Sequence, residues 1–168
     1  MKLENDVTPV TRAGLWFARK AIILVSLVMI TITLAQVFFR YVLQLPIPWS
    51  EELARYCFIW IVFLGAGIGL QRRFHLGVDI FVNLARGSIR KHIEMFVYFA
   101  IALFSGVIIY ASIPVLQLNT FQTSPALQIP MSWVYLAIPV GMAILWLVSV
   151  ERLIRSLVET YKKRVGNQ

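Results

Sequence analysis

Three uncharged runs constrain this chain more than any other feature. No residue is charged from Ala21 to Phe39, from Tyr56 to Leu70, or from Met95 to Val150. A bilayer core about 30 Å thick is crossed by about 20 apolar residues in a helix, the only open-ended element that satisfies its own backbone hydrogen bonds in lipid. The first run extends past Arg40 to give a span over 21–43, and the second, starting near Leu53 with Arg55 at its rim, gives one over 53–70. The third is too long for a single crossing. Pro114, Asn119, Gln122, Ser124, Pro125 and Pro130 lie inside it, and prolines remove a donor and disfavour the helical conformation just before them. It divides into spans over 95–116 and 132–150. The expected fold is an all-α integral membrane protein with four transmembrane helices, residues 1–168 forming a single membrane domain.

Charge then orients the spans. The net charge is +8, a balance that suits nucleic acid, an anionic membrane surface or an acidic substrate. Of 16 Lys and Arg, four precede the first span, five lie between Gln71 and His92, and five follow Val150. Basic residues concentrate in cytoplasmic loops, so both termini are expected inside, an N-in/C-in arrangement. The remaining two, Arg40 and Arg55, flank the first external connection, where Glu51 and Glu52 offset them. Basic and aromatic residues do not interleave and no binding module is present, which excludes nucleic acid as a partner. Lys2, Arg12, Arg19 and Lys20 precede the first apolar run without a small-residue cleavage site, so that run reads as an uncleaved span rather than a signal peptide. Trp16, Tyr41, Trp49, Trp133 and Tyr161 stand at or beyond span ends, where amphipathic rings favour the headgroup zone.

Between the second and third spans, Val78, Phe81 and Leu84 recur at helical spacing, with Asp79 placed to cap and Gly87 to stop. This predicts a short amphipathic helix in the cytoplasmic interface, with Arg86, Arg90 and Lys91 toward anionic membrane lipid.

The densest polar segment is Pro46 to Arg55. Pro48 is placed to stop the first helix, Ser50 to cap the second, and Glu51 and Glu52 to favour its positive N-terminal end. Glu51 and Arg55 stand four apart with the acid first, the better order for a helical ion pair. Arg40 reaches a similar depth and is expected to pair with Glu52. Arg40, Trp49, Glu51, Glu52 and Arg55 thus form a candidate cluster that clamps spans one and two or contacts a partner. Gly65, Gly67 and Gly69 are candidates for close helix packing. His75 and Asp79 offer two ligand-type side chains and no third, which reads as a turn and cap instead of a metal site.

No Asp, Glu, Lys, Arg or His lies in the middle of any span, whereas ion-coupled sites commonly place ionisable groups there. Phosphate-loop, nucleophile-elbow and zinc-helix motifs are absent too, and Cys57 is the only cysteine. No catalytic residue, cofactor or metal is expected. A membrane-anchor subunit of a respiratory or other membrane enzyme complex is the alternative, yet a haem anchor needs histidines inside spans, and His75 and His92 both lie outside.

Four stretches in order resemble a known family: Phe39-Arg-Tyr41; Trp49-Ser-Glu-Glu-Leu-Ala-Arg-Tyr56 running into Trp60 and Phe63-Leu-Gly65; His75 to Asp79; and Ser124-Pro-Ala-Leu-x-Ile-Pro-Met131 leading to Trp133-x-Tyr-Leu-Ala-x-Pro-Val-Gly141. Together they are similar to the small membrane subunit of tripartite ATP-independent periplasmic (TRAP) transporters. The resemblance implies two protein partners, a periplasmic substrate-binding protein and a large multi-span permease subunit that carries the sodium and substrate sites. It also implies an inner-membrane location, organic acids as cargo, and a small subunit that acts as a scaffold and helps dock the binding protein.

Overall fold

The computed structural model describes residues 7–71 and 88–165. Five helices form among them: α1 (Pro9–Tyr41), α2 (Pro48–Gln71), α3 (Ser88–Leu118), the single turn α4 (Ser132–Tyr135) and α5 (Ala137–Val165). Four stretches are long and apolar enough to cross a bilayer: α1, α2, α3 from His92, and α4 with α5 from Ser132 to Val158. No strand forms among the described residues. The proposed interfacial helix, with His75 and Asp79, lies outside them.

Several helix starts and stops have a local cause. Thr8 caps α1 by accepting the Thr11 N–H, and Pro9 occupies the first position, where a missing N–H costs nothing. The 33 residues of α1 make it about 50 Å long at 1.5 Å per residue, well beyond a bilayer core. It closes before any proline. Gln44 takes a left-handed conformation (φ 55°), and the Leu45 N–H turns back to the Phe39 carbonyl at 3.1 Å, taking up one of the carbonyls that a helix end leaves over.

Pro48 and Ser50 differ from expectation. Pro48 does not end the first helix but begins the second, and Ser50, expected as its cap, sits inside the first turn and donates to the Ile47 carbonyl at 2.6 Å. A proline pre-set to helical φ displaces the start toward the N-terminus. Pro114 likewise lies within α3, which stops instead where Asn119 and Thr120 side chains bond the Val115 and Leu116 carbonyls at 2.7 and 2.9 Å. Between α4 and α5 the helical path breaks near Pro139, which has no N–H to offer the Tyr135 carbonyl.

The long helices stand in a row. α1 packs on α2, α2 on α5, and α5 on α3, while α1 touches α5 only lightly. The core cluster holds Leu15 and Ala18 of α1, Leu64 and Leu70 of α2, and Ile144, Leu145 and Val148 of α5. Where α2 meets α5, small residues let backbones approach. A Cβ on Gly67 would lie 2.7 Å from Ile144 Cγ2, and one on Gly141 would lie 2.5 Å from the Phe63 carbonyl. Gly65 only grazes Ile22 at 4.0 Å, and Gly69 has nothing within 4 Å. Ser105, Ser112 and Ser149 each donate to a carbonyl of their own helix at 2.6–2.9 Å, so no partner helix is needed to satisfy them.

Candidate docking site

At one end of the row, the loop end, α2 begins beside the connection from α3 to α4. That connection folds on itself around an isolated bridge between Thr123 and Pro130. The Ser124 N–H donates to Ile129 at 2.9 Å, the Gln128 N–H to Ser124 at 3.1 Å, and the Met131 N–H to Gln122 at 2.8 Å. Gln128 takes the second left-handed backbone (φ 55°). The outer turn of this loop directs two consecutive N–H groups away from its own bonds, and Glu52 accepts both. Its Oε2 receives the Ala126 N–H at 2.9 Å and the Leu127 N–H at 3.0 Å, and its Oε1 receives the Tyr56 hydroxyl. The same hydroxyl lies 3.4 Å from the Met131 sulfur. A carboxylate accepting paired backbone donors makes charge-assisted bonds with fixed geometry, so one side chain of α2 holds the loop across more than 70 residues of sequence.

The expected cluster is therefore only partly joined. Glu51 and Arg55 form the i,i+4 pair at 3.5 Å, both side chains largely exposed. Glu52 makes no ion pair with Arg40: its oxygens face the loop, a stronger match because two fixed N–H donors need no side-chain ordering. Trp49 is partly exposed on the same turn.

The opposite, basic end has a junction that sequence reading missed. Glu151 of α5 is 8% exposed. It accepts the Thr8 N–H at 2.6 Å, the Thr8 hydroxyl at 3.2 Å and the Arg155 guanidinium at 3.1 Å. One carboxylate thus takes up an orphan donor at the start of α1 and ties that start to α5. Arg152 donates to the Gln71 carbonyl at 3.1 Å, capping the end of α2. The available signal was Glu151 as the first charge after a long uncharged run, with Thr8 placed to cap α1. These contacts show that successive long helices alternate in direction: the start of α1 and end of α2 share the basic end, and the start of α2 shares the loop end with the α3–α4 connection.

Among the described residues no group of three or more His, Cys, Asp or Glu could hold a metal ion. Among the described residues, these ion pairs and charge-assisted bonds lie at the start of α2 and beside the start of α1 and the end of α2, so the arrangement presents shaped surfaces at both ends of the bundle.

A family model described as "Tripartite ATP-independent periplasmic transporters, DctQ component" matches residues 29–159. The "C4-dicarboxylate TRAP transporter small permease protein DctQ" of Rhodobacter capsulatus is 33% identical over 99 residues, 58% of this chain and 44% of that protein. A "Putative TRAP transporter small permease protein" of Haemophilus influenzae is 29% identical over 122 residues, 70% of this chain and 74% of its own length. The "Sialic acid TRAP transporter permease protein SiaT" of the same species is 29% identical over 109 residues, 65% of this chain but 18% of that protein. The matched segment thus spans under half of the first of these relatives and under a fifth of the last.

Proposed function

Because the chain belongs to the DctQ family of small permease subunits of TRAP transporters, multi-pass inner-membrane transport components and not enzymes, we propose that it serves a sodium-driven importer of organic acids such as C4-dicarboxylates or sialic acid. The acid arrives on a periplasmic binding protein and crosses through a large multi-span subunit. This chain, acting over 1–168 as one membrane domain with both ends in the cytoplasm, braces the large subunit and helps dock the binding protein.

The observation that carries the reading is the division of its polar groups. α1, α2, α3 and α5 run unbroken through their apolar middles, and no span has an Asp, Glu, Lys, Arg or His there. Transporter ion sites are commonly built from broken helices and buried charges, so this chain lacks the equipment to bind an anion at the midplane. What it has instead is an ordered loop held by Glu52, at the end that the proposed orientation turns toward the periplasm.

Reconstitution into liposomes tests this. With a sodium gradient and the binding protein outside, uptake of the cognate acid is expected only when both membrane subunits are present. Glu52→Ala should lower that uptake severalfold while the membrane subunits still co-purify, because the loop loses its anchor and not its spans. Sodium-driven uptake by this chain alone, or full uptake by the large subunit without it, would sink the reading.

A further inference from the structure

Two neighbouring cavities share Tyr135 in their walls. The deeper one, about 400 Å³, is lined by Phe63 of α2, Ala111 and Val115 of α3, and Ile138 and Met142 of α5. Its walls are apolar almost throughout. The other, about 460 Å³, lies toward the loop end between Glu51, Arg55 and Ile59 of α2 and Pro125 and Met131 of the loop. Both fall in the size range of small-molecule sites, about 300–1,000 Å³. Glu51, Arg55, Ile59 and Phe63 follow at four-residue intervals, a helical ridge. A path down α2 therefore passes from an anion to a cation and then to apolar side chains.

We propose that these neighbouring cavities together bind one bilayer phospholipid, one of its two acyl chains in the deeper and its zwitterionic phosphoethanolamine headgroup in the outer, with the second chain in the surrounding lipid. Charge and depth together select that occupant. At 1.5 Å per residue Arg55 lies about 6 Å closer to the membrane centre than Glu51. In such a lipid the phosphate is joined to the glycerol and the ammonium lies beyond it, so phosphate meets the Arg55 guanidinium, which suits its oxygens, and ammonium meets the Glu51 carboxylate. An anionic headgroup without the ammonium leaves Glu51 facing negative charge. The existing Glu51–Arg55 pair spans 3.5 Å with side chains 64% and 67% exposed, and exposed pairs of this kind contribute little, so exchanging it for lipid partners sacrifices little. Glu52 takes no part, since the loop and Tyr56 occupy its oxygens. The inference rests on the membrane setting of the helices and not on the scaffold role.

Native mass spectrometry of the full chain, purified in detergent and offered equimolar phosphatidylethanolamine and phosphatidylglycerol with matched acyl chains, tests the proposal. One phosphatidylethanolamine is expected to be retained, preferred by about tenfold. Arg55→Gln should lose retention of both lipids. Glu51→Gln should keep one lipid and lose the preference, and Ala111→Phe, which fills the deeper cavity, should release the lipid from a chain that still unfolds cooperatively. Because Glu51 and Arg55 are exposed, their variants fold even if the filled one does not. Equal retention of both lipids by the wild-type chain, or unchanged retention by Arg55→Gln, overturns the proposal. So does loss of the lipid on adding the large subunit, which would assign the cavities to a protein helix.

Discussion

A Cβ built on Gly141 would sit 2.5 Å from both the carbonyl carbon and oxygen of Phe63, atoms of another helix's backbone that no rotamer change can move. Gly67 is less severe, because the nearest atom to its Cβ is a side-chain methyl, Ile144 Cγ2, at 2.7 Å, with the backbone of Leu145 and Ile144 farther off at 3.3 and 3.4 Å. Gly69 faces open space. A graded response to alanine follows. Gly141→Ala should cost about 2–3 kcal/mol through overpacking, and Gly67→Ala about 1 kcal/mol as Ile144 turns aside. Gly69→Ala should be neutral, or stabilising by up to about 1 kcal/mol through helix propensity. Thermal unfolding of the three variants in one detergent checks the order, and equal shifts would show that the α2–α5 approach is looser than it stands here. Sequence reading put Gly65, Gly67 and Gly69 on one footing because they are neighbours in the chain. Which of them meets another helix depends on rotation about the helix axis, and Gly141 was legible only as part of a motif.

At the scale of elements, the start of α1 is held by a carboxylate on α5. Glu151 takes the Thr8 N–H and hydroxyl while Arg155 neutralises it. Glu151→Ala strands the Thr8 backbone donor, which should cost about 1–3 kcal/mol. Glu151→Gln keeps an acceptor for the Thr8 N–H and should cost less. Proteolysis of the chain in nanodiscs reads this locally: cleavage near Arg12 should speed up more in the alanine variant than in the glutamine variant, and identical rates would mean the strap does not hold α1. The two remaining helix junctions follow the same logic, with Glu52 on the loop and Arg152 on the end of α2. In each, one charged side chain satisfies backbone groups that a helix or turn leaves over.

Across the whole molecule, a row of four spans has two broad faces and little interior. The apolar window of α1 is 0% buried within the chain, and Leu24, Leu27, Leu34 and Phe38 along it are exposed. Such a surface belongs in lipid or against a partner helix. Fourteen of the 16 basic residues fall before the first span, between the second and third, or after the fourth, and the orientation proposed above puts those segments in the cytoplasm. Single cysteines at Asn119 or Gln122, in a Cys57→Ala background, should therefore react with an impermeant thiol reagent added to spheroplasts, and cysteines at Ser88 or Asn167 should not. The opposite labelling pattern would reverse the orientation.

The helical class and the number of spans were legible without coordinates because the bilayer imposes a length and an apolarity on every crossing, and both are properties of consecutive residues. The Glu51–Arg55 pair was legible for the same reason, since four residues along a helix always face each other. What tertiary structure decided are the contacts between residues far apart in the chain. Glu52 was expected to turn to Arg40, at a similar depth on the end of the first span, and turns to Ala126 and Leu127 instead. Only the packing of α2 beside the α3–α4 connection brings those two N–H groups within reach. Glu151 and Thr8 meet across 143 residues, and Gly141 and Phe63 touch because α2 and α5 are neighbours in the row. Hydrophobic pattern states which residues enter the membrane, and being nondirectional in lipid it is silent on which helix stands beside which. Close backbone approach and the satisfaction of leftover polar groups made that choice.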